Sequence, residues 1–329
     1  MRTLKDIEVE GKLILLRTDY DVPLQAGKVA DDTRIKASLP TITTLLERQA
    51  KNITILCHLD RPEGKVVESL RVQPVAELLK TLLPEGAPLS LEENLRFNPG
   101  EEANSLEFAK QLAAKGELFI NDAFAASHRL HASIVNLPKL LPSAIGLQFA
   151  KELLALSRIR QNPIRPLVAV IGGTKLETKL PLIEKLTEIV DEILVGGKLA
   201  QEISHTSSPE ALVKVTVAKL TPDGKDITED SATAFAQKIE KAGTVFWNGP
   251  MGVFEEAEHS QGTRIIAQAL NRAPGYTLIG GGDTEAAATK YNAESGIDYI
   301  SLGGGAMLQY LAEGTLVGLA AIEKGKDNG

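Results

Sequence analysis

The stretch from Tyr276 to Ala288 reads YTLIGGGDTEAAA. Tyr276 to Ile279 form an apolar run that predicts a strand; Gly280, Gly281 and Gly282 free the backbone to turn tightly, and Asp283-Thr284 open an alanine-rich helical stretch. Backbone N–H groups at such a turn and at the helix N-terminus attract anions, and an Asp beside them can hold the divalent cation that accompanies a nucleotide phosphate. For one isolated copy, a βα turn whose Asp only caps the helix is the alternative. The copy is not isolated. LVAVIGG ends at Gly173, EILVGG at Gly197, TVFWNGPMG at Gly252 and YISLGGG at Gly305, so with the first stretch five strand-like runs in the second half each empty into a glycine turn.

Composition narrows the class. A chain of 329 residues exceeds the usual size of one core and favours two domains. With 43% apolar and 24% charged residues it reads as an ordinary globular protein. The N-terminus, MRTLKDIEVEGK, lacks the apolar core of a signal peptide, and no apolar segment approaches the roughly 18 residues that span a bilayer, so a cytoplasmic location is expected. The lone Cys57, in ITILC, cannot pair within the chain and reads as a buried thiol. No Cys/His spacing suggests zinc. A net charge of −7 argues against nucleic acid as the main partner, so any anion site must be a local cluster.

In the first half, apolar runs alternate with helical patterns. LILLRTDYDVPL ends abruptly in charge, ADDTRIKASLPTITTLLERQ (Ala30 to Gln49) predicts a helix capped by Asp31 or Asp32, and NITILCHLDRPEG runs into His58, Asp60 and Arg61. Val72 to Leu83 and Leu106 to Lys115 predict further helices, PLSLEENLRFNPGEE leads into Asn94 and Arg96, and LFINDAFAASHRLHAS carries Asn121, His128 and Arg129. The rhythm predicts parallel sheet with helical crossovers, in which ligands bind beyond the carboxyl ends of the strands. Asp19, Asp21, His58, Arg61, Arg96, Asn121, His128 and Arg129 each follow an apolar run closely, which places three arginines along one rim. Arginine suits a phosphate or carboxylate because its planar donors engage two oxygens at once.

Ala144 to Asn162 predicts a long helix ending at Pro163 that connects the halves. After it, Gly172-Gly173 precede Lys175 and Lys179, whose i, i+4 spacing puts two cations on one helical face, either around an anion or on a solvated surface. Pro181 can be an early-helix proline. No G-x-x-x-x-G-K-[ST] occurs and no GxGxxG follows a strand, which disfavours P-loop and dinucleotide chemistry. Gln201 to Glu229 is the segment hardest to read, with one β-like run at Ala211 to Ala218.

Taken together, RTDYDVP with DDTRIKASLPTI, HLDRPEG, ENLRFNPGEE, NDAFAASHRLHAS, IGGTKLETKL, VGGKLA, FWNGPMGVFE, IGGGDT and LGGGAMLQYL resemble the phosphoglycerate kinase family over essentially the whole chain. The resemblance implies an α/β fold of two lobes, each a doubly wound, mostly parallel sheet flanked by helices. Residues 1–147 would form an N-terminal 3-phosphoglycerate domain to which the tail 313–329 returns, residues 148–163 the interdomain helix, and residues 164–312 the nucleotide-binding domain. Asp19, Asp21, Arg34, His58, Arg61, Arg96 and Arg129 would bind the acid substrate. Gly172, Gly173, Lys175, Lys179, Gly196, Asn248, Pro250, Glu255, Gly280, Gly281, Gly282, Asp283 and Thr284 would bind the nucleotide, with Asp283 on Mg²⁺ and Glu255 on the ribose hydroxyls. Arg34, Lys175 and Lys179 would stabilise the transferring phosphoryl group between 1,3-bisphosphoglycerate and ADP, giving 3-phosphoglycerate and ATP. The family further implies a monomer that closes on its substrates by hinge bending. A non-catalytic relative that binds a phosphorylated acid or nucleotide is the competing expectation.

The chain also departs from the family pattern. Asp21 stands where Asn is usual, Asp60 where Gly is usual, Thr178 for Asp, Leu302 for Thr and Gln309 for Glu. Between VGGKLA and FWNGPMG the chain is shorter, so the strand resembling the family's LPVD segment is expected to be absent or reduced, and grip on the adenine base weaker.

Overall fold

The structure, a computed structural model, describes residues 1–174, 176–206 and 213–325. It divides into two compact units, Met1–Leu153 with Thr315–Gly329, and Leu154–Gly314.

In the first unit the chain runs β1 (Leu13–Arg17), a β2 (Leu24–Gln25) and β3 (Lys28–Val29) hairpin, α1 (Thr33–Glu47), β4 (Asn52–Leu56), α2 (Gln73–Leu82), β5 (Leu89–Leu91), α3 (Pro99–Glu102), α4 (Leu106–Ala113), β6 (Leu118–Asn121), α5 (Leu137–Leu140) and β7 (Ser143–Ile145). Five strands form a parallel sheet in the order β5-β4-β1-β6-β7. Side chains alternate across it. Ile14 and Leu16 pack with Ile35 and Ile42 of α1 and Val75 and Leu79 of α2, while Leu15 packs with Leu112 of α4 and Leu137 of α5 on the opposite face. Both faces are therefore covered, which makes the sheet doubly wound and explains why its strands read as continuous apolar runs rather than alternating ones. The order reverses between β1 and β6, and the crevice beyond their carboxyl ends is where such a sheet receives a ligand.

The helix α6 (Leu147–Gln161) begins in the first unit and ends in the second. The single helix expected from Ala144 is corrected here: Ser143–Ile145 pair with β6 as the edge strand β7, because three buried apolar and small residues complete the sheet before the chain turns.

The second unit runs β8 (Leu167–Ile171), α7 (Leu176–Leu186), β9 (Glu192–Val195), α8 (Gly197–Thr206), β10 (Val215–Val217), α9 (Glu229–Ile239), β11 (Thr244–Asn248), α10 (Gln261–Leu270), β12 (Tyr276–Gly280), α11 (Gly282–Lys290), β13 (Tyr299–Ser301) and α12 (Gly304–Glu313). Its sheet is parallel in the order β10-β9-β8-β11-β12-β13, reversing between β8 and β11. Val168, Val170, Val245 and Trp247 pack with Phe235 and Ile239 of α9 and Ile266 and Leu270 of α10. Pro181 lies well inside α7 rather than in its first turn, and Ala211 and Leu212 of the expected β-like run lie outside the described residues. The chain returns to the first unit in α13 (Val317–Glu323), where the Gly318 N–H donates to the Ser127 carbonyl at 2.9 Å. Among the described residues no single helix is long and apolar enough to cross a membrane.

Candidate active site

In the first unit, charge gathers beyond the carboxyl ends of β1, β4 and β6. Arg17 ends β1 and is fully buried: Nε donates to Ser133 Oγ at 3.1 Å, Nη1 to the Thr18 carbonyl at 2.5 Å, and Nη2 faces Nδ1 of His58 at 2.9 Å. A guanidinium can only donate, so Nδ1 of His58 accepts and the ring proton sits on Nε2, 3.7 Å from Asp21 Oδ2. Burial first, and then the Arg17 and Arg96 cations, push the His58 pKa well below the usual histidine value, so the ring is neutral.

Arg96 follows β5 and is 2% exposed. Its Nη1 donates to the Asp60 carbonyl at 2.6 Å; Nε lies 3.4 Å from Glu102 without hydrogen-bonding it, and Nη2 has no partner among the described residues. Buried guanidinium donors left unmet are costly, and an oxyanion is what would meet them. Arg129 is half-buried in the loop after β6, and after burial its positive charge is the next cause that lowers the Arg96 pKa. Arg34, half-buried in the first turn of α1, acts with Arg17 on Asp19, whose pKa burial nevertheless raises. Asp19 itself accepts the Ala125 and Ala126 N–H groups at 2.5 and 3.1 Å, anchoring the loop that carries His128 and Arg129. Asp21 and Arg61 are exposed, and Asp21 Oδ1 accepts the Asp60 N–H at 2.8 Å. Sequence reasoning brought this rim together but passed over Arg17 and His131. Arg17 had a signal, since it is the charge in which the run LILLR ends.

In the second unit the glycine turns interlock. The Gly172 and Gly173 N–H groups donate to the Asn248 and Pro250 carbonyls at 2.9 and 3.0 Å, and those of Gly196 and Gly197 to Ile171 and Met251 at 3.0 and 2.9 Å. This differs from the expectation of bare N–H groups at every turn, because the turns after β8, β9 and β11 lie close enough to satisfy one another. Gly249 makes the approach possible: at φ +93° a Cβ there would sit 2.5 Å from the Gly172 carbonyl oxygen. Trp247 Nε1 also donates to the Gly249 carbonyl at 2.7 Å. Asn248 and Thr284 are buried and hold the turns: Asn248 Nδ2 donates to the Gly280 carbonyl at 2.5 Å, and Thr284 Oγ1 accepts the Gly249 N–H at 2.8 Å.

The open donors lie at α11. Gly281 turns the chain at φ +105° and caps the helix without a side chain, so Asp283 is in the first turn and is not the N-cap. Among the described residues the Gly282 and Asp283 N–H groups donate to no carbonyl, and the exposed Asp283 carboxylate accepts no hydrogen bond. The Lys179 ammonium donates to the Gly172 carbonyl at 2.6 Å, which brings its charge to the turn after β8. Lys175, its expected companion, lies outside the described residues. Glu255 is exposed beyond β11, and the Phe254 carbonyl before it accepts from Lys290 Nζ at 2.6 Å.

The phosphoglycerate kinase family model matches residues 4–208 and 201–314. The chain belongs to the phosphoglycerate kinase family. It is 38% identical to the phosphoglycerate kinase of Thermomicrobium roseum over 390 aligned positions, covering 98% of this chain and 99% of that protein, and 38% identical to that of Moorella thermoacetica, covering 97% and 98%. The solved phosphoglycerate kinase of Coxiella burnetii matches with a TM-score of 0.81 and 32% identity, covering 98% of each chain. The alignments exceed the 329 residues of the chain, so these phosphoglycerate kinases carry residues that it lacks. The family match breaks at residues 201–208, and β10, the edge strand that follows, has three residues. Of the other positions expected to depart from the family pattern, Thr178 is exposed on α7, and Gln309 Nε2 donates to Glu313 Oε2 at 2.9 Å.

Proposed function

We propose that the protein transfers a phosphoryl group reversibly between 1,3-bisphosphoglycerate and ADP, the first unit binding the acid and the second the Mg-nucleotide. The observation that carries this reading is Arg96, a buried guanidinium with unmet donors beside a neutral His58 and the cation of Arg129. Such a cluster is built for an oxyanion. Transfer from an acyl phosphate needs no protein nucleophile, only in-line placement and neutralisation of charge on the moving oxygens. Arg34, Lys175 and Lys179 supply the cations for it.

Asp283 suits Mg²⁺: a hard, exposed carboxylate with uncommitted oxygens, placed beside the open N–H groups of Gly282 and Asp283. The bound ion would neutralise phosphate charge. Glu255 accepts from the ribose hydroxyls, while Asn248 and Thr284 act by holding the turns. The protein works as a cytoplasmic monomer.

A coupled assay with 3-phosphoglycerate and Mg-ATP tests the reading. Activity is expected in the parent and is expected to fall sharply in Arg34→Ala and Lys179→Ala. An inactive parent, or variants as active as it, would overturn the kinase assignment.

A further inference from the structure

Arg17 presents an electrostatic problem. It is fully buried, yet its hydrogen bonds go to a hydroxyl, a carbonyl and an imidazole, and none to a carboxylate. Burying a guanidinium without a counter-charge is expensive. Besides Asp19, whose carboxyl Arg17 acts on without hydrogen-bonding it, a second counter-charge lies one residue further on. Ser133 Oγ, which accepts from Arg17 Nε, donates its own proton to Glu101 Oε1 at 2.5 Å, and the Ser133 N–H donates to Glu101 Oε2 at 3.0 Å. Glu101 lies on α3 and is fully buried, and the nearest cation-forming group to it is the ring of His131 at 3.8 Å.

We propose that Glu101 is a positioning residue for His58, acting through Ser133 and Arg17. Each link has one sense. The carboxylate fixes the Ser133 hydroxyl as a donor toward itself, which leaves the oxygen lone pairs to Arg17 Nε. Arg17, oriented by that bond and by the Thr18 carbonyl, turns Nη2 onto His58 Nδ1. His58 is thereby held as the Nε2–H tautomer, a neutral ring that donates toward the acid site. Hydrogen bonds aligned in this way polarise one another and hold a unique arrangement. The inference rests on the acid-site reading above. It adds two residues, Glu101 and Ser133, that touch neither substrate.

The test is ¹⁵N NMR of the His58 ring together with steady-state kinetics on the full chain. In the ligand-free parent, Nδ1 is expected to be pyridine-like and Nε2 pyrrole-like. Ser133→Ala and Glu101→Gln should mix the tautomers and raise KM for 3-phosphoglycerate about tenfold, the scale of one buried hydrogen bond, with kcat and KM for ATP unchanged. Ser133→Thr, which keeps the hydroxyl, should restore both signatures. A parent ring protonated on Nδ1, or a Ser133→Ala variant whose tautomer matches the parent, would overturn the proposal even if one variant fails to fold. If 3-phosphoglycerate leaves the parent's His58 signals unmoved, the acid-site reading falls instead, and the tautomer measurement still decides the relay.

Discussion

Asp21 Oδ1 accepts the backbone N–H of Asp60 at 2.8 Å, joining two aspartates expected from the sequence to depart from the family pattern. Asp60 has φ +50°, in the left-handed region where glycine is at ease, and its carbonyl accepts from the buried Arg96. The Asp21 carboxylate thus holds a turn that the Asp60 side chain strains. Asp21→Ala should cost about 1 kcal/mol of stability, whereas Asp21→Asn, which keeps the acceptor oxygen, should cost little. Asp60→Gly removes both the strain and a negative charge near the acid site, so it should lower KM for 3-phosphoglycerate. Urea unfolding and steady-state kinetics read both effects; an Asp60→Gly variant with a raised KM would contradict the account.

Arg96 should dominate binding of the acid. Arg96→Met keeps much of the buried apolar stem but removes the donors, and KM for 3-phosphoglycerate is expected to rise on the order of a hundredfold with KM for ATP unchanged. Equal losses for both substrates would mean the substitution disturbs the fold rather than the site.

The interlocked turns of the second unit should tolerate no side chain at Gly249. A methyl there meets the Gly172 oxygen at 2.5 Å from a backbone at φ +93°, so Gly249→Ala should cost more than about 2 kcal/mol and abolish nucleotide binding. Thermal unfolding with and without ADP reads this, and an unchanged melting point would count against the interlock.

The sheet edge at β10 is three residues long, and the family match divides at residues 201–208 just before it. Phosphate and ribose contacts are expected to hold while discrimination by the base is weak, so isothermal titration should find ADP and GDP binding within about tenfold of each other, a gap of about 1.4 kcal/mol. A strong preference for ADP would show that other residues wall the base.

Acid should weaken the fold through its histidines. Burial, reinforced by neighbouring arginines, pushes His128 and His131 down to about 4 and about 3, against about 6.5 in an unfolded chain. Between those values the unfolded chain binds more protons, so their stabilisation is complete above about pH 6.5 and is lost as pH falls through the window. Asp122 runs the other way, because burial lifts it to about 6 and the folded state then holds the extra proton. Asp19 and Asp226, also raised by burial, act in the same sense as Asp122, and the depressed His58 ring acts with His128 and His131. Asp122→Asn removes one carboxyl that opposes the rings, so between about pH 7 and pH 5 its melting temperature should fall relative to the parent's as the pH is lowered, read by thermal unfolding across that range.

Two parallel sheets, the placement of charge after apolar runs and the glycine turns were all legible in the sequence, because strand and helix periods and glycine's backbone freedom are local properties. So was family membership, carried by motifs spread along the chain. Charge partnership was not local. Nothing in YTLIGGGDT or LVAVIGG distinguishes a turn whose N–H groups are spent on its neighbour, as at Gly172 and Gly173, from one left open, as at Gly282. Likewise, LILLR shows a charge at a strand end, but only the packed fold puts Ser133 and Glu101 behind Arg17 and His58 in front of it. The sequence determined which residues reach the rims of the two sheets. Tertiary structure decided which of them keep open donors and which are spent on neighbours, because burial and hydrogen-bond satisfaction depend on segments far apart along the chain, as Arg17 and Ser133 are.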